Sequence, residues 1–264
     1  MGWAMRIFHL ALLAGFCAAP AAALSPAQAL PACAGPVEIA GVKVTRVENN
    51  GAIVLADGRA VLLEGIRLPR GDADHAPRFV ADGALAALRQ MTVGRKSVFT
   101  AVRPKEDRYD RVRSQGFAGE AWLQLALLSE GLARVDIAPD RSECADELYR
   151  AERAARAARK GLWGLPAYRV RGPAGMRGDA GTFQLAEGGV ANVGSSDGRS
   201  FIDFTVDWRH GLAAVISPDD RKAFRDFDLE GLRGHRIRVR GMVEDLDGRQ
   251  EIQLSNPAQI EVLN

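Results

Sequence analysis

The chain has 264 residues, with 35 Lys and Arg against 33 Asp and Glu, a formal net charge of +2 and 47% hydrophobic residues. This composition suits a globular protein with room for two small domains. It excludes bulk polycation behaviour, so any affinity for nucleic acid has to come from local clusters of arginine and lysine.

Residues 1–24 carry a short n-region ending at Arg6, an apolar run from Ile7 to Cys17, and small residues at Ala18, Ala19, Ala21, Ala22 and Ala23. The pattern predicts a secretory signal peptide over residues 1–23, cleaved after Ala23 or, following Ala27-Gln28-Ala29, after Ala29. The apolar run is too short, and too soon broken by Pro20, for a stable membrane span; an uncleaved anchor is the alternative. A periplasmic or secreted location is therefore expected, with no membrane span after cleavage. Phe16 before Cys17 argues against lipid attachment, because lipoprotein signals carry a small residue there. Removal of the signal leaves Cys33 and Cys144, and two thiols in an oxidising compartment are most simply a disulfide. The alternatives, a catalytic or a metal-binding thiol, have no His or Cys partner nearby in sequence.

Residues 37–47 alternate, with Val37, Ile39, Val42 and Val44 among polar or small residues, and predict a strand. Asn49-Asn50-Gly51 supplies a tight turn, residues 52–55 a second strand, Asp57-Gly58 another turn and residues 60–66 a third strand. A helix is expected over residues 77–91, with Phe79, Val80, Leu85 and Leu88 along one side and Gly94 beyond its end. Residues 98–102 and 117–118 flank the segment 107–111 as strands four and five, and helices follow over 122–128 and 146–160. The expected fold is α+β and mainly β: a five-stranded barrel of the oligonucleotide-binding (OB) type with three helices, residues 33–166. The glycine-rich segment 167–181 lacks periodicity and reads as a linker. From Thr182 the β pattern returns, with strands at 189–193, 201–206, 212–216, 236–243, 251–254 and 260–263, a helix over 218–227, and a hairpin turn at Asp247-Gly248. Residues 182–264 are expected to form a second, smaller OB-like barrel.

Four motifs stand in order: Asp107-Arg108-Tyr109-Asp110-Arg111, then Ala121-Trp122, then Ser129-Glu130-Gly131-Leu132-Ala133-Arg134-Val135, and finally Glu152 through Gly161-Leu162-Trp163. The sequence resembles, in this order, the second half of a staphylococcal-nuclease-like (thermonuclease) domain, where a D-x-Y-x-R turn precedes two helices and a closing G-L-W. The likeness runs from about Val37 to Trp163 and implies the same OB barrel with helices. Phe204, Asp207-Trp208, Gly241-Met242-Val243, Ile252 and residues 256–263 are similar to the small β domain that follows it in bacterial secreted members.

The resemblance implies phosphodiester cleavage with calcium, two arginines on the phosphate and a glutamate near the attacking water. Such chemistry needs anionic oxygens for the ion, cations for developing charge and a base for water. The family's D-G-D-T turn reads Glu48-Asn49-Asn50-Gly51 here, with Asn50 at the second aspartate. Its R-L-x-G-I-D-T-P-E run reads Leu62-Leu63-Glu64-Gly65-Ile66-Arg67-Leu68-Pro69-Arg70, with Gly65, Ile66 and Pro69 holding the register. Leu62 then replaces the first phosphate arginine, Arg67 the second metal carboxylate and Arg70 the glutamate. Only Arg111 keeps a catalytic residue type; Asp107 and Tyr109 are kept in structural roles. A cation at Arg67 repels a divalent ion, so the calcium site is expected to be lost and no cofactor is expected. Asp72, Asp74 and His75 offer donors for a replacement metal site, although Asp and His in a Gly/Pro-bounded loop are more often turn residues.

The substitutions leave Arg67, Arg70 and Arg111 where a phosphate would bind, with Arg103, Lys105 and Arg108 approaching from the neighbouring loop, a candidate phosphate- or nucleic-acid-binding cluster. Its bland alternative is a charged rim interleaved with Glu106, Asp107 and Asp110. Arg150, Arg153, Arg156 and Arg159 read as a solvated helix face with Glu147 and Glu152 as partners, opposite Leu148, Ala155 and Leu162. Arg236, Arg238 and Arg240 share one face of a strand, which on a binding barrel would meet phosphates while Phe201 or Trp208 stacks a base; core packing of the aromatics is the alternative. His75, His210 and His235 lie in separate loops without ligand spacing, and no phosphate-cradling glycine loop appears. The expected function is that of a secreted or periplasmic nuclease-like protein that has lost calcium-dependent hydrolysis and binds single-stranded nucleic acid or another anionic polymer. The alternatives are a weak or metal-switched phosphodiesterase and an envelope protein-interaction module.

Overall fold

A computed structural model describes residues 1, 30–74, 77–207, 209–246 and 248–263; most of the segment expected to be a signal peptide, together with His75, Trp208 and Asp247, lies outside the described residues. In chain order the first domain comprises β1 (Val37–Val47), β2 (Ile53–Leu55), β3 (Ala60–Leu63), β4 (Ile66–Arg67), α1 (Gly71–Asp74), α2 (Arg78–Thr92), β5 (Lys96–Thr100), β6 (Val112–Ala118), β7 (Ala121–Trp122), α3 (Leu123–Ser129), β8 (Arg134–Val135) and α4 (Ala145–Ala157). Inward residues of β1, Ile39, Val44 and Val47, meet Ile53, Val61, Phe99, Leu123 and Leu127 in a single core; register shifts between Ile39 and Val42 and between Val44 and Arg46 take their spacing off strict alternation, and Val37 is exposed. Antiparallel pairs β1–β2, β2–β3, β1–β5 and β5–β6 and the parallel pair β3–β6 close a five-stranded ring.

Two local expectations are corrected. Phe79 is 69% exposed, because Val80, Ala84, Leu85 and Leu88 take the inward face of α2 and Phe79 stands one step, about 100°, away. The third strand is not continuous to Ile66. Gly65 sits at φ +82°, where a Cβ would meet the Leu148 side chain, and the chain turns there so that β4 leaves β3 and pairs with β8.

The second domain comprises β9 (Phe183–Gly189), β10 (Asn192–Ser196), β11 (Arg199–Asp203), β12 (Ala213–Ile216), β13 (Arg236–Leu246), β14 (Arg249–Leu254) and β15 (Ile260–Leu263). β10–β11–β12 are antiparallel, β12 runs parallel to β14, β14 pairs with β13 and β13 with β9. Since β9 leads into β10 across two residues, the ring closes with the connectivity of the first barrel, including one parallel pair. Two strands stand where one was expected over 189–193. β9 escaped notice because Phe183 and Leu185 face the first domain while Ala186 faces the second core, so both faces are buried and no alternation shows. The helix expected over 218–227 is a single 3₁₀ turn, Arg221–Phe224, since the polar run before Phe224 supplies no helical apolar stripe.

The segment read as a linker is packed. Tyr168 and Met176 are buried, Arg171 pairs with Asp179 at 2.9 Å, and the Arg171 backbone bonds to Leu185 and Glu187. With Val80, Ala155, Leu162, Trp163, Phe183 and Leu185, Tyr168 forms an apolar cluster joining the two barrels. The arginine stripe of β13 is also reassigned. Arg240 is 0% exposed; it donates to Glu152 at 2.8 Å, to Glu261 at 2.6 Å and to the Val135 carbonyl at 3.2 Å, and lies 4.4 Å from the Tyr149 ring. Arg236 and Arg238 are taken by Glu187. Glu152, expected on a solvated helix face, is buried and also accepts the Val135 N–H at 2.8 Å. A second buried pair, Arg134 with Asp74 at 2.7 Å, reaches across to the Phe183 carbonyl at 2.6 Å.

Burial alone would raise the Glu261 carboxyl, but Arg240 and Arg238 outweigh it and hold it below the usual range. Its folded value is then lower than its unfolded one, so it contributes stability above about pH 4 that is lost as pH falls further. Urea midpoints should drop between pH 5 and pH 3, and less so in Glu261→Gln.

Cys33 and Cys144 are joined, with Cα atoms 5.2 Å apart and a sequence separation of 111. The bond ties the lead-in to the start of α4. Cys33→Ser with Cys144→Ser should lower stability by about 2–4 kcal/mol, measured by urea denaturation of the mature protein, and the unaltered protein should show no free thiol before reduction. No described helix is long and apolar enough to cross a membrane.

Candidate nucleic-acid interface

A cleft of about 790 Å³ lies between the barrels, lined by Arg67, Arg108, Tyr109, Arg111 and Arg113 from the first domain and by Phe183, Met242 and Gln253 from the second. The turn before β6 builds its rim. Asp107 accepts the backbone N–H groups of Tyr109 and Arg111 at 2.9 and 3.0 Å, and its other oxygen accepts Nε and Nη2 of Arg111 at 2.9 and 2.6 Å. Burial would raise this carboxyl, but these bonds hold it below the usual range. Tyr109 is 60% exposed, and the guanidiniums of Arg108 and Arg111 lie over its ring, 4.8 and 4.9 Å from its centre.

Deeper in the cleft, Arg67 donates to Asp136 at 2.9 Å, touches the Met242 sulfur at 3.8 Å and lies over Phe183 at 4.8 Å. Of the expected cluster, Arg67, Arg108 and Arg111 are brought together. Arg70 lines a smaller neighbouring pocket of about 200 Å³ with Arg67, Asn49 and Asn50. Arg103 and Lys105 line neither cavity; Lys105 pairs with Glu38 at 2.6 Å, and Arg103 is exposed near the same carboxylate.

Arg113 was missed by sequence reasoning. It stands in register with Leu62, the position at which the family's phosphate arginine is absent, and is held by Glu64 at 2.6 Å and by Asp140 at 2.9 and 2.8 Å. Its signal was the two-residue spacing from Arg111 into a strand, which is visible only once the parallel β3–β6 pairing is known.

The donor set does not fit the family's calcium ion. The Asn50 amide oxygen caps the turn by accepting the Ala52 N–H at 2.9 Å, and Arg67, expected at a carboxylate's place, brings a cation that is bound to Asp136. Asp74, offered as a replacement ligand, is committed to Arg134 and to the Arg70 N–H at 3.1 Å. No group of three His, Cys, Asp or Glu among the described residues has metal-binding geometry.

Fold and cleft together define a double OB-barrel protein whose first barrel carries the nuclease-type D-x-Y-x-R turn. Residues 60–164 match the family model described as Staphylococcal nuclease homologue, so the chain contains a staphylococcal-nuclease-like domain. The match begins at β3 and ends after α4, leaving β1, β2 and the second barrel outside it. No curated protein matches the chain.

Proposed function

We propose that this is a nuclease-like module of the periplasm or the cell exterior that no longer hydrolyses phosphodiesters with calcium and instead holds single-stranded nucleic acid or another anionic polymer. The observation that carries this reading is the exchange at one place: the Arg67–Asp136 pair replaces a metal carboxylate while Arg108, Arg111 and Tyr109 still present cations and a ring to the same cleft. Arg108 has no carboxylate within ion-pair distance among the described residues. A guanidinium has five N–H donors and Asp107 engages two on Arg111, so a phosphate oxygen can add to Arg111 without displacing the carboxylate.

Fluorescence anisotropy with a labelled single-stranded DNA at low salt tests the reading. Arg108→Glu with Arg111→Glu should weaken binding at least tenfold, and Tyr109→Ala should cost about tenfold through lost stacking. Unchanged affinity in all of these variants, or no binding at low salt, would remove the cleft from consideration. A protein partner is the second reading, favoured by one observation: Glu64, Glu106, Asp107, Asp136 and Asp140 line the same cleft as its arginines, a mixed-charge surface. Binding of an envelope protein that weakens when those carboxylates are neutralised, with no affinity for single strands, would support it.

A further inference from the structure

Apart from Arg108 the arginines of the cleft are compensated, whereas a group of cations without ion-pair partners lies outside it, at the Lys43–Lys96 end of the β1–β5 pair. Lys43 and Lys96 stand directly opposite each other in the antiparallel β1–β5 pair, an arrangement in which like charges destabilise a sheet. Arg95 is pinned beside them, its carbonyl accepting the Val44 N–H at 2.9 Å and the neighbouring Gly94 N–H donating to the Val44 carbonyl at 2.9 Å. All three side chains are exposed, and among the described residues no carboxylate lies within ion-pair distance of any of them. In the cleft, by comparison, Arg67, Arg111 and Arg113 each meet a carboxylate and Arg108 alone of its arginines does not.

Between this end and the cleft runs β1 itself. From Lys43 to Asn49 is six residues, about 20 Å of strand, and Asn49 lines the pocket shared with Arg67 and Arg70. Arg89 of α2 meets the path there with only neutral partners, the Val47 carbonyl at 3.4 Å and the Asn49 side chain at 3.3 Å, so its charge is not cancelled. Midway, a bulge between Val44 and Arg46 leaves Arg46 exposed, its side chain 63% accessible. Glu48, which holds Arg46 at 3.1 Å, is the acid on the path.

We infer that β1 and its neighbour β5 form a phosphate track, along which a single strand of nucleic acid leaving the cleft passes Arg89 and Arg46 and ends on Lys43, Arg95 and Lys96. This rests on the proposed function and extends it, since a small anion would need the cleft alone. The length suits a strand of several nucleotides, within the roughly 4–16 nucleotides that single OB barrels cover. Sequence preference is not expected, because the contacts are to phosphates.

The test compares oligothymidylates of about 3 and about 20 nucleotides, below and above the roughly 20 Å of the track, on the full chain. In Lys43→Gln, Arg95→Gln and Lys96→Gln combined, affinity for the long oligomer should fall at least tenfold. Its log–log salt slope should become shallower by about two, at roughly 0.7 per lost single-strand phosphate contact. The short oligomer should bind as before. An unchanged affinity and slope for the long oligomer would overturn the track while leaving the cleft reading intact, provided Arg108→Glu with Arg111→Glu still weakens both. Failure of either oligomer to bind the unaltered protein at low salt would overturn the cleft reading and the track together.

Discussion

Supercoiled plasmid and RNA should remain intact when the purified mature protein is incubated with calcium, magnesium or manganese. Losing one preorganised charge-stabilising contact commonly costs about a hundred- to a thousandfold in rate. By the resemblance in sequence, Asn50, Leu62, Arg67 and Arg70 are expected at a metal ligand, a phosphate arginine, a second metal ligand and the base together. Such losses are not additive when residues act as a unit, yet the remaining Arg111 is bound to Asp107 and has neither an ion nor a base beside it. Hydrolysis that disappears both on chelation and in Arg111→Ala would sink the prediction. The reverse experiment installs Asn50→Asp, Leu62→Arg, Arg67→Asp, Leu68→Thr and Arg70→Glu. Removing Arg67 also frees Asp136, so the variant should bind calcium by isothermal titration even where turnover stays poor.

Replacing Arg240 should be the most damaging single change to stability. The guanidinium is fully buried between Glu152 and Glu261, and Arg240→Ala leaves both carboxylates without their buried partner. Breaking such a pair from one side costs about 3–5 kcal/mol, or roughly a 10 °C fall in Tm for a protein of this size. Arg240→Met with Glu152→Gln should recover most of that loss, because the glutamine can still accept the Val135 N–H and Glu261 keeps Arg238. A loss under about 1 kcal/mol in Arg240→Ala would mean that the two barrels are not held together through this pair.

Because Arg240 joins the barrels, its effect also bears on the cleft, whose walls come from both domains. Met242 and Phe183 of the second barrel touch Arg67 of the first. An Arg240 variant that stays folded but loses the cleft's affinity for single strands would place the two barrels in one binding unit.

The sequence by itself determined the first barrel and its D-x-Y-x-R turn. The apolar pattern of β1 and the turn at Asn49-Asn50-Gly51 are local signals, set by which side of a strand meets the core and by which residues accept a positive φ. The two cysteines left outside the expected signal segment implied the bond that the fold contains. Only the tertiary structure decided which charges are spent and which are available. Arg240 and Lys96 look alike in a string of letters; the first finds Glu152 at a sequence separation of 88 and disappears into an interface, while the second is set opposite another lysine. The packed 167–181 segment, the doubly buried strand β9 and the placement of Arg113 beside Leu62 follow the same rule. Burial on two faces erases periodicity, and the compensation of a charge depends on a partner that the chain supplies from far away.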